Sequence, residues 1–272
     1  MLGFSVDAKK CTKCDACVKD CPSGIIRRDE GAAPEATGTV CLECQHCLAV
    51  CPAGAISIFG LKPENSLPLS YGAIPSYKQM KTFVRGRRSV RQFAKEDVAP
   101  SVIDELLEDL AHSPTGCNDR DLIFSVVDNR KAMEALLEKI MQAAEGRQKA
   151  GETLSGFIGY ALTAYRNEGV DVFFRGAPHL LVVSPGEKAH VGQEDSVLAL
   201  AYFELLAQSA GIGTTWCGMI KFAAEVIPEI REWLGVAPGT YFYAMMFGKP
   251  AVRYARTVQR DRAARIHRIG DK

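Results

Sequence analysis

The chain has 272 residues, 47% of them hydrophobic and 24% charged, with 33 Lys and Arg against 32 Asp and Glu. That near-neutral balance leaves no global field to hold nucleic acid or an anionic membrane surface, and no apolar run approaches the roughly 20 residues of a membrane helix. The length suffices for one small and one medium domain, each with its own core. Ten cysteines with no apolar leader segment point to a reducing compartment, the cytoplasm, rather than to a disulfide framework.

Phe4-Ser5-Val6 and Ile56-Ser57-Ile58-Phe59 alternate in period two and flank a cysteine-rich stretch, with Ile25-Ile26 and Thr37 to Val40 inside it. Short hairpins are expected there. Between them the pattern C-x2-C-x2-C-x3-C-P occurs twice, as Cys11, Cys14, Cys17, Cys21-Pro22 and as Cys41, Cys44, Cys47, Cys51-Pro52. Both copies continue as Cys-Pro-x-Gly followed by Ile, which marks an internal repeat of two related halves. Three thiolates two residues apart can wrap three corners of a cube from one turning segment, and the fourth corner must come from elsewhere.

The pattern resembles that of bacterial ferredoxins with two [4Fe-4S] clusters, in which the fourth Cys of each run ligates the other cluster. By that resemblance one cluster takes Cys11, Cys14, Cys17 and Cys51, and the other takes Cys41, Cys44, Cys47 and Cys21. Two structural zinc sites are the alternative for eight thiolates, although paired CxxC knuckles need neither the third close cysteine nor the Cys-Pro. Residues 1–61 hold six Lys and Arg and seven Asp and Glu, a net of −1. So weakly charged a module reads as a fixed relay rather than a free carrier that finds many partners.

Residues 62–76 carry Pro63, Pro68 and Pro75 among Asn, Ser and Gly and read as a proline-stiffened linker, which a fused relay would keep packed down. Residues 77–272 then form the larger domain. Its first signal is Arg85-Gly86-Arg87-Arg88-Ser89-Val90-Arg91, four arginines in seven positions, which is either a solvated face or an anion site. Pro100 opens a helix with Ile103, Leu106, Leu107 and Leu110 at i, i+3, i+4, i+7, and Ser113 to Asn118 form a loop. Leu122 to Val127 reads as a buried strand and Lys131 to Ile140 as a helix. His179 to Ser184 is an apolar strand. A helix from Asp195 to about Ala210 presents Leu198, Ala201, Tyr202 and Leu205 on one face, and Tyr241 to Phe247 is a last strand.

Arg-Arg-Ser-Val-Arg-x-Phe at Arg87 to Phe93, a helix, and Ser113-Pro114-Thr115-Gly116-x-Asn118 together resemble the FMN-dependent nitroreductase family, to which a ferredoxin-like module is known as an N-terminal fusion. The later order also fits: Arg175-Gly176-Ala177-Pro178 before a strand, Thr214-Thr215-Trp216-Cys217-Gly218, and Gly248-Lys249-Pro250. The resemblance implies an α+β fold, an antiparallel-dominated sheet wrapped by helices, working as a homodimer. It also implies that Arg87, Arg88 and Ser89 hold the FMN phosphate and ribityl chain, with Arg91 near N1 and O2 of the ring, where reduced flavin carries its negative charge. Pro114, Thr115, Gly116 and Asn118 would come from the opposite subunit, a backbone N–H around Cys217 or Gly218 would face N5, and Arg256 and Arg260 would complete the phosphate pocket. Asp119-Arg120-Asp121 departs from the family's usual continuation beside the substrate. The implied function is electron transfer through the clusters and FMN to a nitroaromatic, quinone or related electrophile, with ferredoxin, flavodoxin or NAD(P)H as donor. Reductive dehalogenation, oxidative flavin chemistry, or a non-catalytic redox subunit stay open.

His46 lies between ligand cysteines and reads as a surface or potential-tuning residue. Gly211-x-Gly213 follows a helix and opens none, so no Rossmann or P-loop site is supported. Cys217 reads as a small core residue, and Cys117 as a thiol on a loop facing the flavin.

Overall fold

The computed structural model describes residues 2–70, 72–154, 156–260 and 264–270. The chain divides into two compact units. The first ends at Pro75 and takes in the short segment Gly116–Asp119; the second comprises Ser76–Thr115 and the chain from Arg120 onward.

In the first unit, β1 (Ser5–Val6) pairs antiparallel with β4 (Ile56–Ser57), and β2 (Ile26–Arg27) pairs with β3 (Glu35–Ala36). Short hairpins form as expected, but the second strand of the inner one is Glu35–Ala36, directly before Thr37, and Thr37 to Val40 is not a strand. Two one-turn helices, α1 (Ala16–Asp20) and α2 (His46–Ala49), each begin one residue before the third cysteine of their run. The core is small: Ile26, Leu48, Ile56 and Ile58 are buried together with Cys17 and Cys47. So few apolar side chains stabilise about 60 residues weakly, and domains of this size usually add a staple or a metal. The linker is not packed down as expected. Leu67, Leu69 and Ile74 are 91, 83 and 66% exposed, and among the described residues the segment holds a short 3-10 turn, Pro63–Asn65, and a turn closed by the Ala73 N–H on the Ser70 carbonyl at 3.0 Å.

The second unit is built on a four-stranded antiparallel sheet of β5 (Leu122–Val127), β6 (His179–Pro185), β7 (Gly213–Trp216) and β8 (Tyr243–Gly248), in the order β5-β6-β8-β7. The period of two sends alternate side chains to opposite faces. Leu180, Val182, Ala244 and Met246 face a core with α5 (Arg130–Lys149), α6 (Gly156–Glu168), α8 (Gly218–Val226) and α9 (Glu229–Trp233). Leu181, Val183, Met245 and Phe247 face a second core with α4 (Pro100–Asp109) and α7 (Gly192–Ser209). β6 and β8 are therefore covered on both sides, which is why His179 to Ser184 reads as an unbroken apolar run. Each fully buried Leu, Val, Met or Phe contributes about 1.5–3 kcal/mol.

α5 runs nine residues past the expected Ile140, because Met141 and Ala144 continue the buried stripe. α7 corrects the expected face: Leu198 and Tyr202 are exposed, while Ala199, Leu200, Phe203 and Ala207 pack on the sheet. α3 (Tyr77–Gly86) was not expected and buries no residue; it starts at a capping box in which Ser76 Oγ accepts from the Gln79 N–H and Gln79 answers to the Ser76 N–H.

Candidate functional site

In the first unit the two cysteine sets separate cleanly. Cys11, Cys14, Cys17 and Cys51 line one small cavity, and Cys21, Cys41, Cys44 and Cys47 line another. These are the two exchanged sets that the motif implies. The two loops carry the same backbone device. Lys13 and Asp15 flank the middle cysteine of one at φ 59 and 61°, and Glu43 and Gln45 flank that of the other at φ 52 and 58°. Left-handed residues alternating with right-handed ones turn successive N–H groups inward, the arrangement that makes concave anion sites, Fe–S sites among them. Gly24 and Gly54, the glycines of the two Cys-Pro-x-Gly runs, adopt φ 62 and 55° and return their N–H to the carbonyls of Cys21 and Cys51 at 3.0 and 3.1 Å. The repeat in sequence is thus a repeat in conformation.

These sites fit clusters better than zinc. Zinc draws its sulfurs to about 2.3 Å, yet among the described residues no three His, Cys, Asp or Glu side chains converge on a single ion position. Four sulfurs ringing a cavity instead of meeting at a point suit a cube. Burial pushes the Cys47 thiol up to about 11 and raises that of Cys17, whereas the Ala16 N–H lowers that of Cys14. Two N–H groups donate to ligand sulfur, Glu43 to Cys41 at 3.4 Å and Ala55 to Cys51 at 3.3 Å. Arg28 grips Asp15 with both guanidinium prongs and holds that carboxyl below its usual range, fixing the first loop. His46 Nδ1 lies 3.1 Å from Asp20 at the surface, outside any ligand role.

In the second unit the arginine segment is stitched to the sheet edge. Ser89 bridges Thr214 in parallel, the Val90 N–H donates to Thr214 at 2.8 Å, and Thr215 Oγ1 returns a bond to the Val90 carbonyl. The approach is so close that a Cβ on Gly213 would lie 2.8 Å from Val90, so glycine is required there. Beyond it Phe93 bridges Pro250, and the Ala94 and Ala251 N–H groups bond to Lys249 and Gln92.

Two clefts open along this edge. One, about 370 Å³, is lined by Arg88, Gln208, Gly213, Thr214, Arg253 and Tyr254 among others; the second, about 570 Å³, by Arg85, Arg87, Arg88 and Arg260 with Thr257 and Gln259. Arg88 belongs to both, and its Nε is buried with no hydrogen-bond partner. A buried guanidinium donor without an acceptor is a site that lacks its anion. Arg87 differs, since it pairs with the buried Glu204 at 2.9 Å.

The expected residues sort accordingly. Arg87, Arg88 and Arg260 come together in one cleft, whereas Arg256 lines neither and Arg253 lines the adjacent one. Arg91 is exposed with Nη1 3.4 Å from the Ser89 carbonyl. Cys217 is fully buried, with its thiol pushed up to about 12 by burial, and its N–H is taken by the Ala244 carbonyl at 2.8 Å. Gly218 opens α8, so its N–H has no acceptor within that helix. Pro114, Thr115, Gly116 and Asn118 line neither cleft; the Thr115 hydroxyl accepts from the Arg120 N–H, and the Asn118 amide donates to the Leu42 carbonyl at 2.8 Å. Glu204, Gln208 and Tyr254 were not anticipated. An acidic residue beside Phe203 in the apolar register of α7 was the signal for Glu204.

Comparison with known proteins decides the larger unit: the Nitroreductase family profile matches residues 84–249, more than half of the chain. The chain belongs to the nitroreductase family. A 4Fe-4S dicluster domain matches residues 10–56, the span of the two cysteine loops. Among solved structures, a nitroreductase with bound FMN from Bacteroides fragilis is 22% identical, covers 68% of this chain and 97% of its own, and superposes with a TM-score of 0.54. An FMN-dependent nitroreductase from Clostridium difficile (17%, 71% and 100%, 0.52) and a nitroreductase with bound FMN from Desulfitobacterium hafniense (20%, 68% and 96%, 0.52) share the fold. No curated protein matches. The α+β architecture that the resemblance implied is thus the architecture of this nitroreductase-family chain, with the dicluster module before it.

Proposed function

We propose that the protein is an iron–sulfur flavoprotein oxidoreductase that accepts single electrons on two [4Fe-4S] clusters and reduces a nitroaromatic, quinone or related electrophile at an FMN site. The observation that carries this reading is the partition of eight cysteines into two exchanged sets around two cavities, in one chain with an arginine-lined cleft on a nitroreductase sheet. Bound FMN would supply the conversion between single electrons and the electron pair that the acceptor takes.

The chain's own residues do the rest. Arg88 offers its unpartnered buried Nε, with Arg260 beside it, to the phosphate. Arg87 is held by Glu204 and orients the segment. Ser89 and Arg91 follow on the same segment, where a cation would favour negative charge on the ring, and the Gly218 N–H lies at the start of α8. Val197, Leu198 and Tyr202 form an exposed apolar face on α7 whose opposite face is already buried, so we assign that face to a homodimer contact. No helix of the described residues is long and apolar enough to cross a membrane.

Anaerobically purified protein should contain about eight irons, eight acid-labile sulfides and one FMN per chain, and should turn over a nitroaromatic with a low-potential one-electron donor. Two zincs without sulfide would end the cluster reading. Full cofactors with no turnover on any acceptor would leave an electron-transfer subunit.

A further inference from the structure

One peptide group in the first unit is held at both ends. Its nitrogen end, the Glu43 N–H, points at the Cys41 sulfur at 3.4 Å; its oxygen end, the Leu42 carbonyl, accepts from Asn118 Nδ2 at 2.8 Å. Asn118 reaches it from the segment Gly116–Asp119, which belongs to the same compact unit although it is about 70 residues later in sequence. That segment is built to present the amide. Cys117 and Asn118 follow each other at φ 53 and 56°, the Asp119 N–H closes the turn onto the Gly116 carbonyl at 3.1 Å, and Asn tolerates the left-handed region better than most residues. In the first cysteine loop the corresponding peptide, Thr12–Lys13, carries neither bond among the described residues.

We propose that Asn118 is a positioning residue for the cluster held by Cys41, Cys44, Cys47 and Cys21, raising its potential relative to its twin. The inference rests on the cluster reading above. A donor on a peptide carbonyl polarises that peptide and strengthens its N–H as a donor. A hydrogen bond to ligand sulfur favours the reduced cluster, which carries one more negative charge, and hydrogen bonds to the sulfurs are among the determinants of cluster potential. The first set has its own N–H···S bond, Ala55 to Cys51 at 3.3 Å, but among the described residues no side chain donates to the carbonyl behind that N–H, so the two sets differ even though their loops are conformational copies. Asn118 thereby gives the repeat a direction that the cysteine pattern alone lacks.

Asn118→Gly removes the amide and tolerates φ 56°; Asn118→Ala removes it while keeping a Cβ. The full-length protein, prepared anaerobically, is titrated with a redox mediator series and followed by electron paramagnetic resonance, with iron and FMN quantified in the same samples. Both variants should keep about eight irons, and one of the two cluster potentials should fall by roughly tenfold in electron affinity, about 59 mV for one electron, while the other stays put. Selective loss of half the iron would make Asn118 a structural support of that loop and overturn the potential assignment. Two unchanged potentials, an equal shift of both, or loss of FMN with unchanged potentials would overturn it. A wild-type protein without iron and sulfide would instead overturn the cluster reading itself.

Discussion

Arg87 and Glu204 lie 2.9 Å apart, with Glu204 almost fully inside the second unit and Arg87 at the rim of the arginine cleft. The pair separates two neighbouring arginines by role. Arg87 has its counter-charge within the protein, whereas Arg88 has a buried Nε with none. A charge-assisted hydrogen bond to an incoming phosphate contributes about 1.5–3 kcal/mol. Arg88→Ala should therefore weaken FMN binding by roughly 10- to 100-fold, and Arg87→Ala by clearly less. Arg87→Ala and Glu204→Ala should instead each destabilise the fold, because removing one partner strands the other. Flavin fluorescence titrations and denaturant midpoints on the three variants measure both quantities; equal FMN losses at Arg87 and Arg88 would contradict the division.

The exposed face of α7 makes a second prediction. Leu198 and Tyr202 are 41 and 43% exposed on a helix whose other side packs Ala199, Leu200 and Phe203 into the sheet. Replacing both Leu198 and Tyr202 with Glu introduces charges that an interface between copies cannot solvate. The wild type should sediment as a dimer and the variant as a folded monomer. Phe203→Ala, on the inward face, should cost about 3–5 kcal/mol of stability instead. A wild-type monomer with full FMN would remove the dimer assignment.

His179 predicts an acid limit. Its Nε2 accepts from the Val98 N–H at 2.9 Å, its ring stacks on Phe247 at 4.8 Å, and burial lowers its pKa below the ordinary 6.5. The unfolded chain therefore binds this proton more readily than the folded one. The contribution is complete above 6.5 and is lost as pH falls below it toward the depressed folded value. Urea midpoints between about pH 5 and pH 7.5 should drop on acidification in the wild type. His179→Gln, which keeps an acceptor but does not titrate, should be less stable at neutrality and should show a shallower drop. Parallel curves would assign the acid sensitivity to other groups.

These side chains show where the sequence was legible. β5 follows its apolar run residue for residue, but it was expected to be buried and is instead an edge strand that is only half-buried, with Ile123 49% exposed; the continuous signal of a strand covered on both faces belongs to β6. The grouping of the cysteines was legible because the motif's repeated spacing carries it, and the same eight residues line the two cavities. α6 escaped notice because Phe157 and Tyr160 are exposed while Ile158, Ala161 and Leu162 are buried, leaving apolar residues all round and no single stripe. The inward face of α7 escaped for the same reason. Arg253 and Arg256 are three residues apart in a C-terminal run without periodicity, and only the path of the backbone decides which of them lines a cleft. The Asn118–Leu42 bond joins segments with no pattern in common, so no local reading could pair them.

The order of electron flow gives the last prediction. Clusters carry one electron at a time, whereas reduction of a nitro group or a quinone consumes pairs, so a flavin site is the natural converter between the two. In this protein the two functions draw on separate side chains: cysteines in the first unit and arginines along the sheet edge of the second. Cys44 is a half-buried member of the second cysteine set and lies outside the arginine cleft. Cys44→Ala should reduce iron content, leave FMN stoichiometry unchanged, and abolish turnover driven by a low-potential one-electron donor. Any turnover driven by direct hydride donation to the flavin should survive. Cys14→Ala repeats the test on the first set, whose middle cysteine is exposed. Equal persistence of both activities in either cluster-damaged protein would make the clusters structural and the relay wrong, and equal loss of both with FMN retained would place the clusters in the chemistry itself.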